Sequence, residues 1–293
     1  MSIRPGGNRR LEVDPRLGAV QDDHVLAPTR WVSAAVVPVL VAAFVILYVF
    51  PSRTEQLWGW TIHPEMSALI MGAGYVSGAY FFVRAATVRE WHRVGVGFVA
   101  TTVFASMLMV TTLLHWDRFN HDHVSFWAWI LLYFSTPFLL PWLWATNRRT
   151  DPGGLSAGDV AVPRPLRVAI GTVGAAVLAF AAVMFVKPSV VIDVWPWTLT
   201  PPTARSVSAF LAFPAVTWLL FLFDDRWSSF RITQQTAGLG MFLIALGAIR
   251  ARDEFAGGAD VAFYVGALAV ALGFVVILQV AMDRRARRVV VSG

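Results

Sequence analysis

The chain has 293 residues, 57% of them apolar and only 14% charged, with a net charge of +6 and a mean hydropathy of +0.60. An ordinary soluble domain carries about 25% charged residues, and here several runs of about 20 residues, enough to match the hydrocarbon core of a bilayer, carry no charge at all. A soluble enzyme and a disordered chain are both excluded, and the absence of cysteine removes disulfides, thiol catalysis and thiolate-ligated metals.

Residues 1–30 carry charges of both signs and no apolar core region, so a polar cytoplasmic tail is expected rather than a cleaved leader. Eight apolar spans follow, at 31–50, 66–83, 94–114, 124–146, 168–186, 203–223, 232–249 and 261–282. Each is read as a helix, because in lipid only helices and closed barrels satisfy their own backbone. A Gly- and Pro-bearing linker occupies 147–167, and a basic tail holding Arg284, Arg285, Arg287 and Arg288 occupies 283–293. The fourth span contains Pro137 and Pro141 and is expected to kink. Thr233, Gln234, Gln235 and Gln279 lie in the last two spans and are expected to bond between helices.

Of the 24 basic residues, 18 fall on the side of the two termini, 5 on the other side, and Arg205 lies within the sixth span. That bias predicts cytoplasmic termini. It also accounts for the positive charge without nucleic acid, because the arginines flank the spans.

Two segments repeat. Pro51-Ser52 followed by Trp58-Gly59-Trp60-Thr61-Ile62-His63-Pro64 matches Pro188-Ser189 followed by Trp195-Pro196-Trp197-Thr198-Leu199-Thr200-Pro201, every pair offset by 137. Trp91 with Trp227, Asp117 with Asp253 and Phe119 with Phe255 share an offset of 136. The expected fold is therefore an all-α polytopic membrane protein of eight transmembrane helices. It would be built as a parallel 4+4 internal repeat, residues 31–146 and 168–282, because four spans per copy give both copies one orientation.

The repeated Trp-x-Trp-Thr-x-x-Pro can be purely structural. Its indoles would then anchor among head groups, Pro64 and Pro201 would start helices, and Thr200 would cap one of them. Alternatively Trp58, Trp60, Trp195 and Trp197 form a ligand site at two helix N-termini that favour an anion. Arg205 lies about 6 Å into its span, where an ionisable group is costly and usually faces protein or water. Glu65 and Asp193 are the expected counter-ions, and an Arg205–Glu65 site could hold a lipid phosphate or a carboxylate. The third and fourth spans are joined by His115-Trp116-Asp117-Arg118-Phe119-Asn120-His121-Asp122-His123. His115, His121 and His123 with Asp117, and with Asp122 and His63 nearby, offer imidazole and carboxylate to a divalent metal such as zinc or copper. The plainer reading is a polar interfacial turn.

The duplicated tryptophan motif, the His-Trp-Asp-Arg-Phe turn and the arginine-rich usage together make the chain similar to multi-pass plasma-membrane proteins of actinobacteria. That resemblance implies no activity and no site residue. No phosphate-binding loop, dinucleotide fingerprint or Gly-x-Ser-x-Gly elbow is present, and no histidine pair lies mid-span for a haem. Three classes of function remain: binding or transport of a lipid or small anionic solute at the repeat interface; an accessory subunit of a membrane complex; and a metal-dependent membrane enzyme using the His/Asp turn.

Overall fold

The computed structural model describes residues 22–156 and 158–292; the expected polar tail at 1–21 lies outside them. Among the described residues, eight helices are long and apolar enough to cross a membrane, and there is no strand beyond an isolated Ala161–Arg226 bridge. They are α1 (Ala27–Phe44, continued by a π turn at Val45–Val49), α2 (Glu65–Thr87), α3 (His92–Leu114), α4 (Val124–Asn147), α5 (Arg164–Val186), α6 (Pro201–Leu220), α7 (Trp227–Arg250) and α8 (Gly258–Ser292). The second and seventh spans, interrupted in sequence by Gly and Gln, form full-length helices. Helix α8 runs on through the arginine-rich segment expected as a tail. The fourth span is one continuous helix with Pro137 and Pro141 inside it.

Two kinds of helix are distinguished by what they face. Helices α2, α3, α6 and α7 form the centre: α3 packs on α6 and α7, and α2 packs on α7 and α6. Helices α1, α4, α5 and α8 lie outside, α1 against α2, α5 against α6, α4 against α3 and α8 against α7. The outer helices present large apolar side chains outward; Phe263, Val270 and Ile277 of α8, seven residues apart, are 80%, 76% and 70% exposed. The central helices hold small residues at their contacts, Ser, Ala and Gly in α2 and Ser and Ala in α6, the composition that lets membrane helices approach closely. A Cβ on Gly72 would lie 2.8–2.9 Å from atoms of Tyr48, so glycine there admits the π turn of α1. A Cβ on Gly174 of α5 would lie 2.5 Å from the Leu219 backbone nitrogen, and glycine there admits α6.

One end of the bundle carries the N-terminal segment, the α2–α3 turn, the 151–163 linker and the α6–α7 turn, and is termed the Arg-rich end. The opposite, Trp-rich end carries both Trp-x-Trp motifs, the His turn and the α7–α8 turn.

Candidate functional site: a chamber in the middle of the bundle

A cavity of about 280 Å³ lies between the central helices, with residues of α1, α4 and α8 also on its wall. Helix α2 lines it with Ile70, Gly74, Ser77 and Phe81, one turn apart on one face, and α6 does so with Val207, Phe210, Leu211 and Pro214. Helices α3 and α7 contribute Thr101, Phe104 and Ala105, and Ala237, Gly240 and Met241. From Ile70 to Phe82 the wall runs about 18 Å along α2 at 1.5 Å per residue. The volume falls near the lower end of small-molecule sites. No Asp, Glu, Lys, Arg or His lies on the wall. Large rings crowd the α2–α4 side, where Phe210 packs edge-on against Tyr75 and Phe104 with centroids 5.9 and 4.8 Å away. The α7 side carries Ala and Gly instead.

At the Trp-rich end, three of the four repeated tryptophans are covered by protein. Trp58, Trp60 and Trp197 are only 6%, 7% and 2% exposed. Trp60 packs edge-on against Phe119 and Trp129, both at 4.8 Å. Trp197 packs on Phe255 at 5.2 Å and on Tyr264 at 5.3 Å. Each box is tied by one backbone bond, Asn120 N–H to Gly59 O at 2.6 Å and Ala256 N–H to Pro196 O at 3.0 Å. The interfacial-anchor reading is therefore corrected: the turns after α3 and α7 fold over the indoles and bury them. Trp197 Nε1 donates to Ser67 Oγ at 3.1 Å, while the indole nitrogens of Trp58, Trp60 and Trp195 are buried without an acceptor. Helix α2 starts at Glu65, one residue later than expected, with Pro64 at the capping position. Thr200 caps α6 in position only; its hydroxyl bonds the Thr203 hydroxyl at 2.9 Å.

Arg205 does not meet Glu65 or Asp193. Its Nη1 donates to His115 Nε2 at 2.8 Å and its Nε to Phe185 O at 3.0 Å. The physical reason is helical phase: at 100° per residue, position 205 lies about 160° around α6 from Val207, facing away from the chamber. Burial and the Arg205 charge both push the His115 imidazole below its ordinary pKa of 6.5. An anion does cap α2, but it comes from elsewhere in the chain: Glu254 accepts from Glu65 N–H and Met66 N–H, both at 2.7 Å.

The His turn is held together by other bonds. His121 Nε2 donates to Trp116 O at 3.0 Å. His123 accepts from Ser125 N–H at its Nδ1 and donates from Nε2 to Gln56 O at 2.9 Å. Asp117 and its neighbour Arg118 are exposed, as are His63 and Asp122. Among the described residues no group of three or more His, Asp or Glu is placed to hold a metal ion. His115, His121, His123 and Asp117 are thus not brought together, because each imidazole is already committed to a different partner.

At the Arg-rich end the structure assembles a cluster that sequence reasoning missed. His92 Nδ1 bonds Asp23 Oδ2, His92 Nε2 bonds Ser228 Oγ at 2.7 Å, and Ser228 Oγ donates to Asp159 Oδ2. The backbone repeats the pattern: His92 N–H donates to Asp23 Oδ1 and Ser228 N–H to Asp159 Oδ1, both at 3.1 Å. The order Asp-His-Ser matches a hydrolase relay. Here, though, the serine proton goes to Asp159 and the His92 side chain is 1% exposed, so the geometry is that of a clasp. Beside it Arg226, only 8% exposed, bonds Asp151 at 2.7 and 2.9 Å and Asp224 at 2.8–3.2 Å. Burial pushes the Asp151 and Asp224 carboxyls up, but the Arg226 hydrogen bonds outweigh it and hold both below their ordinary value. His92 does the same for Asp23. His92 and Ser228, and likewise Asp23 and Asp159, are separated by 136 residues, the offset of Trp91 and Trp227, but His92 and Ser228 do not share a residue type, and the sequence shows no sign of the cluster.

The amides behave unevenly. Gln235 accepts from Tyr80 at 2.5 Å and Gln234 from Trp218 at 3.3 Å, each between helices as expected. Gln279 instead donates to Asp283 of its own helix, and Thr233 bonds Phe230 O of its own.

The fold and chamber fit a multi-pass α-helical membrane protein. No family model, curated protein or solved structure matches the chain.

Proposed function

We propose that this protein binds, and in the membrane hands on, an uncharged and largely apolar molecule held in the chamber between its two halves. The carrying observation is the chamber itself: a cavity of about 280 Å³ with no Asp, Glu, Lys, Arg or His on its wall among the described residues. Apolar walls with a few placed polar groups are the usual composition of a small-molecule site. Of the lipid or small anionic solute expected from sequence, a lipid suits this wall, and an uncharged one rather than the lipid phosphate expected beside Arg205, because an anion would lose its hydration without a partner.

The halves are read as a parallel 4+4 repeat whose axis passes through the chamber. Wall residues pair at the repeat offsets: Ile70 with Val207, Gly74 with Leu211, Ser77 with Pro214, Phe104 with Gly240 and Ala105 with Met241. Hydrogen bonds pair likewise, Val25 N–H to Arg89 O with Val162 N–H to Asp225 O, at 2.8 and 2.7 Å. The packing partners of α1–α4 become those of α5–α8 when the two sets are exchanged. Placing the Arg-rich end in the cytoplasm follows the arginine bias, in a bacterial plasma membrane. Reporter fusions after Asn120 should read extracytoplasmic and those after Gly154 cytoplasmic.

The test is extraction of organic-soluble molecules from protein purified in mild detergent, beside a variant with the chamber filled, Ala237→Phe. A co-purifying lipid present in the parent and lost from the folded variant supports the reading. Equal lipid in both overturns it.

A further inference from the structure

The serine and threonine hydroxyls on the chamber wall have their protons already placed, which leaves only their lone pairs for a guest. Ser77, Thr101, Thr136 and Thr236 each donate their hydroxyl proton to a carbonyl of their own helix, at 2.7, 2.7, 2.7 and 2.9 Å. Tyr133 donates to Tyr75 at 2.9 Å. Two phenols carry two protons, and one bond between them uses only one. The other proton has no acceptor among the described residues, although Tyr75 and Tyr133 are only 3% and 2% exposed and both line the chamber. Trp195 also lines this space, and its buried indole N–H has no acceptor among the described residues. Tyr264 beside it makes ring contacts with Trp197 and Phe255 only.

Beside those hydroxyl oxygens, the wall carries two unpaired donors, one phenol O–H and one indole N–H. A buried donor left unpaired in an apolar setting costs several kcal/mol, and that penalty is removed by a guest that brings an acceptor.

We infer that the chamber is built for an uncharged lipid carrying carbonyl oxygens on an apolar body, one oxygen accepting from the Tyr75–Tyr133 pair and another facing Trp195. An acyl ester and a quinone share that chemistry. This rests on the chamber reading above, and adds that the guest is chosen by hydrogen-bond acceptance rather than by apolar fit alone.

The phenol pair makes an unusual demand on the data. Removing either hydroxyl leaves the other with a free proton, so Tyr75→Phe and Tyr133→Phe should each bind within about threefold of the parent. Only the double variant removes the donor. The assay is calorimetric titration of nanodisc-held protein with a decyl-substituted benzoquinone, dioctanoylglycerol and, lacking any acceptor, decylbenzene. At least one carbonyl probe should bind tenfold or more tighter than decylbenzene. The double variant should lose about that factor, roughly 1.4 kcal/mol, while its decylbenzene affinity is unchanged. Preference for the quinone or for the glyceride names the source. Equal affinity for all three probes, or a double variant that binds like the parent, overturns the inference; the chamber reading then still stands if Ala237→Phe abolishes binding. If no probe binds the parent, both the inference and the chamber reading fall.

Discussion

Replacing Arg226 by glutamine would test how the Arg-rich end is held. Arg226 is the shared partner of two carboxylates from different segments, Asp151 at the start of the linker and Asp224 in the α6–α7 turn. The three side chains are 10%, 19% and 21% exposed, so water screens them only in part. Removing one member of a buried ion pair costs about 3–5 kcal/mol, chiefly because its partner is left charged and unpaired. Two carboxylates are stranded here, but their partial exposure brings the expectation to roughly 2–4 kcal/mol. At about 2–4 °C per kcal/mol, Arg226→Gln should melt about 5–10 °C below the parent in detergent, followed by tryptophan fluorescence. The cost lies in the stranded charges, so adding Asp151→Asn and Asp224→Asn to Arg226→Gln should recover most of the loss. A single variant melting within 1 °C of the parent, or a triple variant no better than the single, would refute the reasoning.

Three further outcomes follow from other contacts. Glu254→Gln should destabilise the fold by about 1 kcal/mol, since Glu254 caps α2 through two backbone N–H groups and a charged cap is worth that much; hydrogen exchange at Glu65 and Met66 should speed up, and unchanged exchange would remove the cap. His115 has a depressed pKa, so its stabilising contact with Arg205 is present above its ordinary value of 6.5 and is lost as pH falls through the lower folded value; the parent should lose more stability between pH 7 and 5 than His115→Gln does, and parallel curves would count against the contact. Asp23, Asp151 and Asp224 all have folded pKa values below the ordinary 3.8; their contribution is therefore complete at neutral pH and lost as pH falls below about 4, where protease nicking in the 151–163 linker should rise, while nicking that begins near pH 6 would implicate other groups.

What the sequence by itself determined is the lipid-facing half of the problem. Runs such as 31–50 and 261–282 have to be helices, because hydrocarbon leaves the backbone no other way to satisfy its hydrogen bonds. Residues that recur at offsets of 136 and 137, such as Trp91 and Trp227, are visible in the sequence, whereas in the pairs Asp23–His92 and Asp159–Ser228 the second members share the offset of 136 without sharing a residue type. The inner half was decided by tertiary structure. Whether Arg205 meets Glu65 or His115 depends on the rotation of α6 about its axis, and the repeat of apolar residues does not specify that rotation in a helix that is apolar all round. The tryptophan motif had the composition of an interfacial belt, and it became a buried box only because the turns after α3 and α7 fold back over it. The chamber was the least legible feature, since an unfilled volume belongs to no residue: it arises where Gly240 and Ala237 on one helix face Phe104 and Tyr75 on others, and only packing at close to crystal density everywhere else makes the gap between them a site.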